Sequence, residues 1–419
     1  MSSARPARSS GALHGLRVPR PPAPDPLEAF SAEEIAACVA YAKPRQRWGL
    51  VSFAADLALL TVLALTGPGR ALVRWFAGLA GGFQPGRAAL AVVLVVLAQA
   101  LVSLPFSLRS FRQDRRAGLA TQPLRKFLLD WAKARGIGLV LTVVPLTALI
   151  LAARYRPVAY PWSAAAVGAL LVVVLAMLGP VVLEPLFNRF VPLAAGPLRE
   201  RVLRMAATMR VPVRDVLVSD ASRRTTRVNA YVSGVGRTRR VVVYDTLLRP
   251  GSQEPVTRER EDEVALVLAH ELAHVAHRDV LFGTVAGALL TGAGVLLANW
   301  LLGLGWLRGP LHVGGLGDPL VAPGLLLLGA VGGLLASPLA SAVSRWAEAR
   351  ADWTALEVSR DPGTAEVVER RLALENRADL RPNRLLLALF ASHPPTMARI
   401  AQARLWAERN QGAPRVPAG

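Results

Sequence analysis

Cysteine and lysine are nearly missing from this chain of 419 residues. Cys38 is the single cysteine, so no intrachain disulfide forms and a small cross-linked scaffold is excluded. Charge is scarce as well: 19% of residues are charged against 53% hydrophobic, and the mean hydropathy is +0.36. Soluble globular chains are about a quarter charged, so neither an ordinary soluble enzyme nor a disordered chain fits. The charge that is present is mostly of one sign, with 49 Lys and Arg against 29 Asp and Glu, a net charge of +20. Such an excess raises nucleic acid as a partner. Yet the only lysines are Lys43, Lys126 and Lys133, and the arginines flank apolar runs, as membrane topology requires. No nucleic-acid partner is expected.

Six long apolar runs are there instead: Trp48–Gly67, Ala88–Phe106, Gly136–Ala153, Pro161–Leu183, Val280–Gly305 and Leu320–Val343. Each is near the ~20 residues that cross a ~30 Å hydrocarbon core. Five carry no charge; the first holds Asp56, whose insertion costs ~2.5–3.5 kcal/mol, so it should face protein or water. Before the first run, Met1 to Pro26 is rich in Ser, Pro, Ala and Arg and lacks the apolar stretch of a signal peptide. The chain is thus expected to divide into a largely disordered cytoplasmic tail (1–47), four transmembrane helices (48–183), a polar insertion (184–279), two more transmembrane helices (280–343) and a helical C-terminal part (344–419). Arg112, Arg115, Arg116, Arg125, Lys126 and Lys133 after the second run, with Lys43, Arg45 and Arg47 before the first, set both termini and the insertion inside. Arg70, Arg74 and Arg87 in the first external loop conflict with that rule.

Within the insertion, Leu198–Met209 has helical spacing and Arg214–Ser219 reads as a short strand. Val228–Ser233 and Arg240–Tyr244, around Gly234-Val235-Gly236, read as a hairpin. Glu261–His277 is helical and contains His270-Glu271-Leu272-Ala273-His274. Histidines at i and i+4 share one helix face and can reach one zinc ion, with Glu271 beside it as general base. In a chain of this composition the pattern arises by chance roughly 0.006 times, so a solvated polar helix face is a poor account of it.

A catalytic zinc takes three protein ligands. His277 is one candidate, but a turn further on its geometry is strained. Glu348 is the better one: Glu348 and Asp352 are again i and i+4, so the first can ligate while the second accepts the ring N–H of a ligating histidine. The competing account of the pair is a surface carboxylate stripe with Arg345 and Arg350. Val280 begins an apolar run six residues after His274, and Glu348 follows Val343 by five, so the metal should sit at the membrane boundary, on two helices that continue into the bilayer.

Glu184-Pro185-Leu186-Phe187-Asn188-Arg189-Phe190, Asn229-Ala230-Tyr231, Val243 to Leu248, the His-Glu-Leu-Ala-His run, Glu348 with Asp352, and Ser392-His393-Pro394-Pro395 together resemble the type I CAAX prenyl proteases, integral-membrane zinc metallopeptidases. The resemblance runs from about Ala42 to Arg404. It implies Glu348 as third ligand, Asn229 and His393 as hydrogen-bond donors to a developing oxyanion, a strand with Asn229, Ala230 and Tyr231 beside the substrate, and Arg399 as a substrate contact. Eukaryotic members look to have one more transmembrane helix before the one matching Trp48–Gly67, where this chain has its polar tail.

The expected protein is mostly α-helical and polytopic, about six transmembrane helices with a cytoplasmic zinc-metallopeptidase domain containing a small β-sheet. It lies in the cell membrane and binds one Zn²⁺. Its substrates are peptides or membrane proteins, misfolded or surplus membrane proteins foremost. The rival is a non-catalytic zinc protein that binds or transports a lipid-like ligand between its helices; retention of Glu271 speaks for the enzyme.

Overall fold

A computed structural model describes residues 18–234, 236–248 and 257–410. Residues 1–17 of the expected tail and Val235 of the expected hairpin loop lie outside these. The helices of the first half are α1 (Ala32–Leu65), α2 (Gly67–Gly78), α3 (Gln84–Arg116), α4 (Leu124–Tyr155) and α5 (Tyr160–Leu178), the last continued by a π-turn (Gly179–Leu183) into α6 (Glu184–Phe187). Next come β1 (Phe190–Pro192), α7 (Pro197–Thr208), β2 (Asp215–Ser219), β3 (Ala230–Ser233), β4 (Arg240–Tyr244) and α8 (Asp245–Leu248). The chain closes with α9 (Arg258–Ala276), α10 (Asp279–Gly303), α11 (Gly305–Leu311), α12 (Ala322–Ser359), α13 (Pro362–Glu375), α14 (Arg384–Phe390) and α15 (Thr396–Arg409).

Every apolar run falls in one of six helical stretches long and apolar enough to span a membrane. Their inner faces share one core, in which Leu60, Val73, Val92, Val95, Ile150 and Val321 are almost fully buried. Their outer faces leave Leu101, Leu289, Leu335 and Leu339 about three-quarters bare, which suits acyl chains and not water. The tail is corrected between Pro26 and Arg47. There α1 begins at Ala32, far before Trp48, because Ser31 and Glu34 form a reciprocal capping box at its start. Phe30, Ile35 and Cys38 are buried against Met397 and Ile400 of α15, so the segment is part of the packed structure.

The sheet has the order β1-β2-β4-β3. β1 and β2 are antiparallel, β2 and β4 parallel, and β3 pairs antiparallel with β4, Ala230 opposite Val243 and Ser233 opposite Arg240. β3 is therefore an edge strand. Val264, Leu268 and Leu272 of α9 recur every fourth residue and share a core with Val216, Val241 and Val243 of the sheet. Packing that stripe against the strands turns His270 and His274, about 200° around the helix from it, toward α12.

One expectation fails at the junction of α9 and α10. The two are not one continuous helix: Arg278 has φ 60° and ψ 31°, left-handed, and α10 starts afresh at Asp279. By contrast α12 runs unbroken for 38 residues, ~57 Å at 1.5 Å per residue, so its last turns stand clear of a ~30 Å core.

Candidate active site

The Nε2 atoms of His270 and His274 are 3.1 Å apart. From α12, Glu348 places Oε2 3.4 Å from the His270 Nε2 and Oε1 3.4 Å from the His274 Nε2. Ligand atoms ~2.0–2.1 Å from a tetrahedral ion lie ~3.3 Å from one another, and each of these contacts, one to either carboxylate oxygen, is close to that spacing. His270, His274 and Glu348 form the only such cluster among the described residues. Glu348 Oε2 is buried without a hydrogen-bond partner, as expected of an acceptor shaped for a cation.

Burial alone would pull the His270 imidazole down, but the carboxylates of Asp352 and Glu348 outweigh it and raise it to about 10. His274 rises against its own burial to about 9, through Asp279 and Glu348. The same carboxylates that favour positive charge on the two rings would favour a cation held between their Nε2 atoms, and its binding would compete with protons. Burial pushes the Glu271 carboxyl up, while the two imidazoles draw it back. Glu271 stands 100° around α9 from His270 and lines a cavity of about 420 Å³ with Asn229, Ala230, His393 and Arg399.

The ligands are themselves held. Asp352 Oδ1 is 2.8 Å from His270 Nδ1, as the i, i+4 spacing from Glu348 predicts. Arg399 Nε donates to Asp352 Oδ2 at 2.8 Å, and its Nη1 is 3.0 Å from Glu369 Oε2. The guanidinium of Arg399, expected to contact substrate, is thus engaged with Asp352 and Glu369, while the residue still lines the cavity. On the other side His274 Nδ1 is 2.8 Å from Asp279 Oδ2, and Asp279 in turn pairs with Arg350 of α12. Arg350 also stacks on the Trp346 ring, 4.2 Å to its centroid.

Of the remaining expected residues, His393 comes to the site, its Nε2 3.4 Å from Glu348 Oε2 and its Nδ1 2.8 Å from Ser392 Oγ. Asn229 and Ala230 line the cavity from the β3 edge. Tyr231 turns away from it, with its hydroxyl 3.5 Å from Glu184. His277 is buried, its Nε2 2.8 Å from Thr354 Oγ1, and is no ligand. Asp279, Arg350 and Glu369 were not expected from the sequence. Asp279 left one signal: an acid opening an apolar run five residues after a ligating histidine. Arg350 and Glu369 left none, since each is brought in from another helix.

A histidine pair closed by a carboxylate, with a half-buried glutamate beside it and six membrane-length helices in the same chain, defines a multi-pass membrane metallopeptidase. Sequence comparison agrees. Residues 192–407 match peptidase family M48, and residues 14–189 match the CAAX prenyl protease N-terminal region, described as five membrane helices. The chain belongs to peptidase family M48. In that N-terminal region four of the five helices α1 to α5 are long enough to span, and α2 has 12 residues. An uncharacterized metalloprotease YhfN of Bacillus subtilis is 26% identical over 93% of this chain and 89% of its own. A CAAX prenyl protease 1 homolog of rice is 32% identical over 47% of this chain and 45% of its own. The crystal structure of S. mikatae Ste24p superposes with a TM-score of 0.76 over 91% of both chains at 19% identity, a likeness of fold.

Proposed function

We propose that the metal is a single zinc ion, held by His270 Nε2, His274 Nε2 and a Glu348 oxygen, and that the protein is an endopeptidase acting on membrane-associated polypeptides. The observation that carries it is Glu271, a half-buried carboxylate kept beside the ligand cluster and lining the cavity, which a passive zinc-binding protein does not need. When bound, zinc supplies Lewis acidity toward a water and toward the scissile carbonyl. Glu271 accepts the proton of the attacking water and passes it to the leaving amine. Asn229 and His393 donate hydrogen bonds to the oxyanion, a contribution of ~2.7–4 kcal/mol for a single donor elsewhere. Asp352 and Asp279 keep the two imidazoles in the tautomer that offers Nε2.

Asn229 and Ala230, at the start of the edge strand β3, line the cavity, and an extended substrate strand added to that edge would be bound through its backbone with little demand on sequence. That favours misfolded or surplus membrane proteins, and C-terminal segments, over a single motif. The site faces the cytoplasm in this proposal, since the basic α3–α4 loop lies at the same end as the sheet, Ala120 bridging to Thr225. A reporter fused near Gly314 should then read the opposite side from one at Gly419, and the same side for both would refute the topology.

The deciding measurement compares wild type with Glu271→Gln for zinc content and for cleavage of a generic peptide. Equal zinc with a 10²–10⁴-fold slower cleavage is expected of a lost general base. Cleavage at the wild-type rate would remove Glu271 from the chemistry and leave a lipid-binding protein as the better account.

A further inference from the structure

At the end of the bundle opposite the metal, one of the arginines that conflict with the charge rule, Arg87, acquires a setting. The α4–α5 connection, the end of α10, α11 and the segment before α12 surround a cavity of about 710 Å³ lined by Arg87, Arg154, Arg308, Tyr160, Asn299 and Asp318, among others. None of the three arginines forms an ion pair among the described residues. Arg154 and Arg308 each donate to a single carbonyl, of Gly317 at 3.4 Å and Gly303 at 3.2 Å, and Arg87 Nε is buried with no partner at all. The one acid lining the cavity forms no ion pair with them among the described residues: the Asp318 carboxylate accepts from the backbone N–H groups of Gly314 and Leu320. Gly317 makes the approach possible, since a Cβ there would lie 2.8 Å from the Arg154 Cα.

Arg87 is partly buried with an unpartnered Nε, and Arg154 and Arg308, exposed at the rim, bring two more guanidinium groups to the same polar cavity, a set that suits an anion with several acceptor oxygens. The level of the cavity in the membrane narrows the choice. Trp75, Phe83, Trp162 and Trp300 all belong to this end of the helices and are each about two-thirds exposed, the arrangement of an aromatic belt at head-group depth. We propose that Arg87, Arg154 and Arg308 bind a phosphate group here, that of an anionic phospholipid head group or of a soluble phosphate. Of the arginines that conflict with the charge rule, only Arg87 is accounted for in this way.

The full-length protein in detergent separates the two sources. Thermal unfolding is followed with added phosphatidylglycerol, phosphatidylcholine or inorganic phosphate, and bound lipid is counted by native mass spectrometry. Stabilisation by phosphatidylglycerol alone assigns the lipid, and stabilisation by inorganic phosphate as well assigns the soluble anion. Arg87→Gln and Arg154→Gln should each weaken the effective ligand about tenfold with peptidase activity retained as the measure of folding. Arg74→Gln, from the same end but outside the cavity, should leave it unchanged. No stabilisation by either phosphate source, or equal losses in Arg74→Gln and the cavity variants, would overturn the proposal.

Discussion

The two helices that supply the metal site differ in one respect. α12 carries Glu348 and Asp352 on an unbroken rod, whereas α9 stops two residues after His274 and α10 starts at Asp279. Had α9 continued, Asp279 would stand five residues from His274, about 140° around the helix and out of reach. The left-handed turn at Arg278 returns it to 2.8 Å from the His274 ring. Each histidine thus has its own carboxylate. His270 obtains one from helical spacing on α12, His274 from a break in α9, and Arg399 and Arg350 steady one carboxylate each. Regular geometry and its interruption serve the same end.

The comparison breaks first at the ligand. Glu348→Ala should abolish metal binding measured by mass spectrometry, while His277→Ala keeps it; the reverse result would mean that α12 does not complete the site. Next come the two orienting carboxylates. Asp352→Asn and Asp279→Asn should each weaken metal binding ~10–100-fold, and an unchanged affinity in one would show that its histidine is oriented otherwise. Because nearby carboxylates raise both rings above the ordinary histidine range, metal binding at neutral pH should release protons, and affinity should fall as pH is lowered. Calorimetry in buffers of different ionisation enthalpy reads that release, which should be smaller in Asp279→Asn. The smallest effect belongs to the turn itself. Arg278→Gly relieves a positive φ and should raise the thermal midpoint by the equivalent of about 1 kcal/mol or less, with activity kept; a loss of metal would show that the arginine side chain, not the turn, positions Asp279.

What could be read from the sequence follows the range over which each signal acts. The six spans and the two i, i+4 pairs are periodic features, complete within one helix. The start of α1 was also written locally, in Ser31 and Glu34, but the surrounding Pro- and Arg-rich composition masks a two-residue capping signal. β1 is three residues ending in a proline, too short for any alternation to show. Glu369 and Arg350 could not be found, since their roles exist only once α13 and α12 pack on the site. Arg399 was singled out for its position near the metal, but its pairing with Asp352 and Glu369 could not be read, since only packing brings them together.

The edge of β3 has one more consequence. In a strand only alternate residues direct their N–H and C=O groups outward, so a peptide laid along it can advance by two residues, ~6.6–6.8 Å, and recover every main-chain bond, whereas an advance of one turns all its side chains over. An enzyme that holds its substrate in this way keeps no strict phase against the sequence it cuts. Its products from one extended segment should therefore form a family of lengths differing by two, a parity imposed by the strand and not by the residues flanking the cleaved bond.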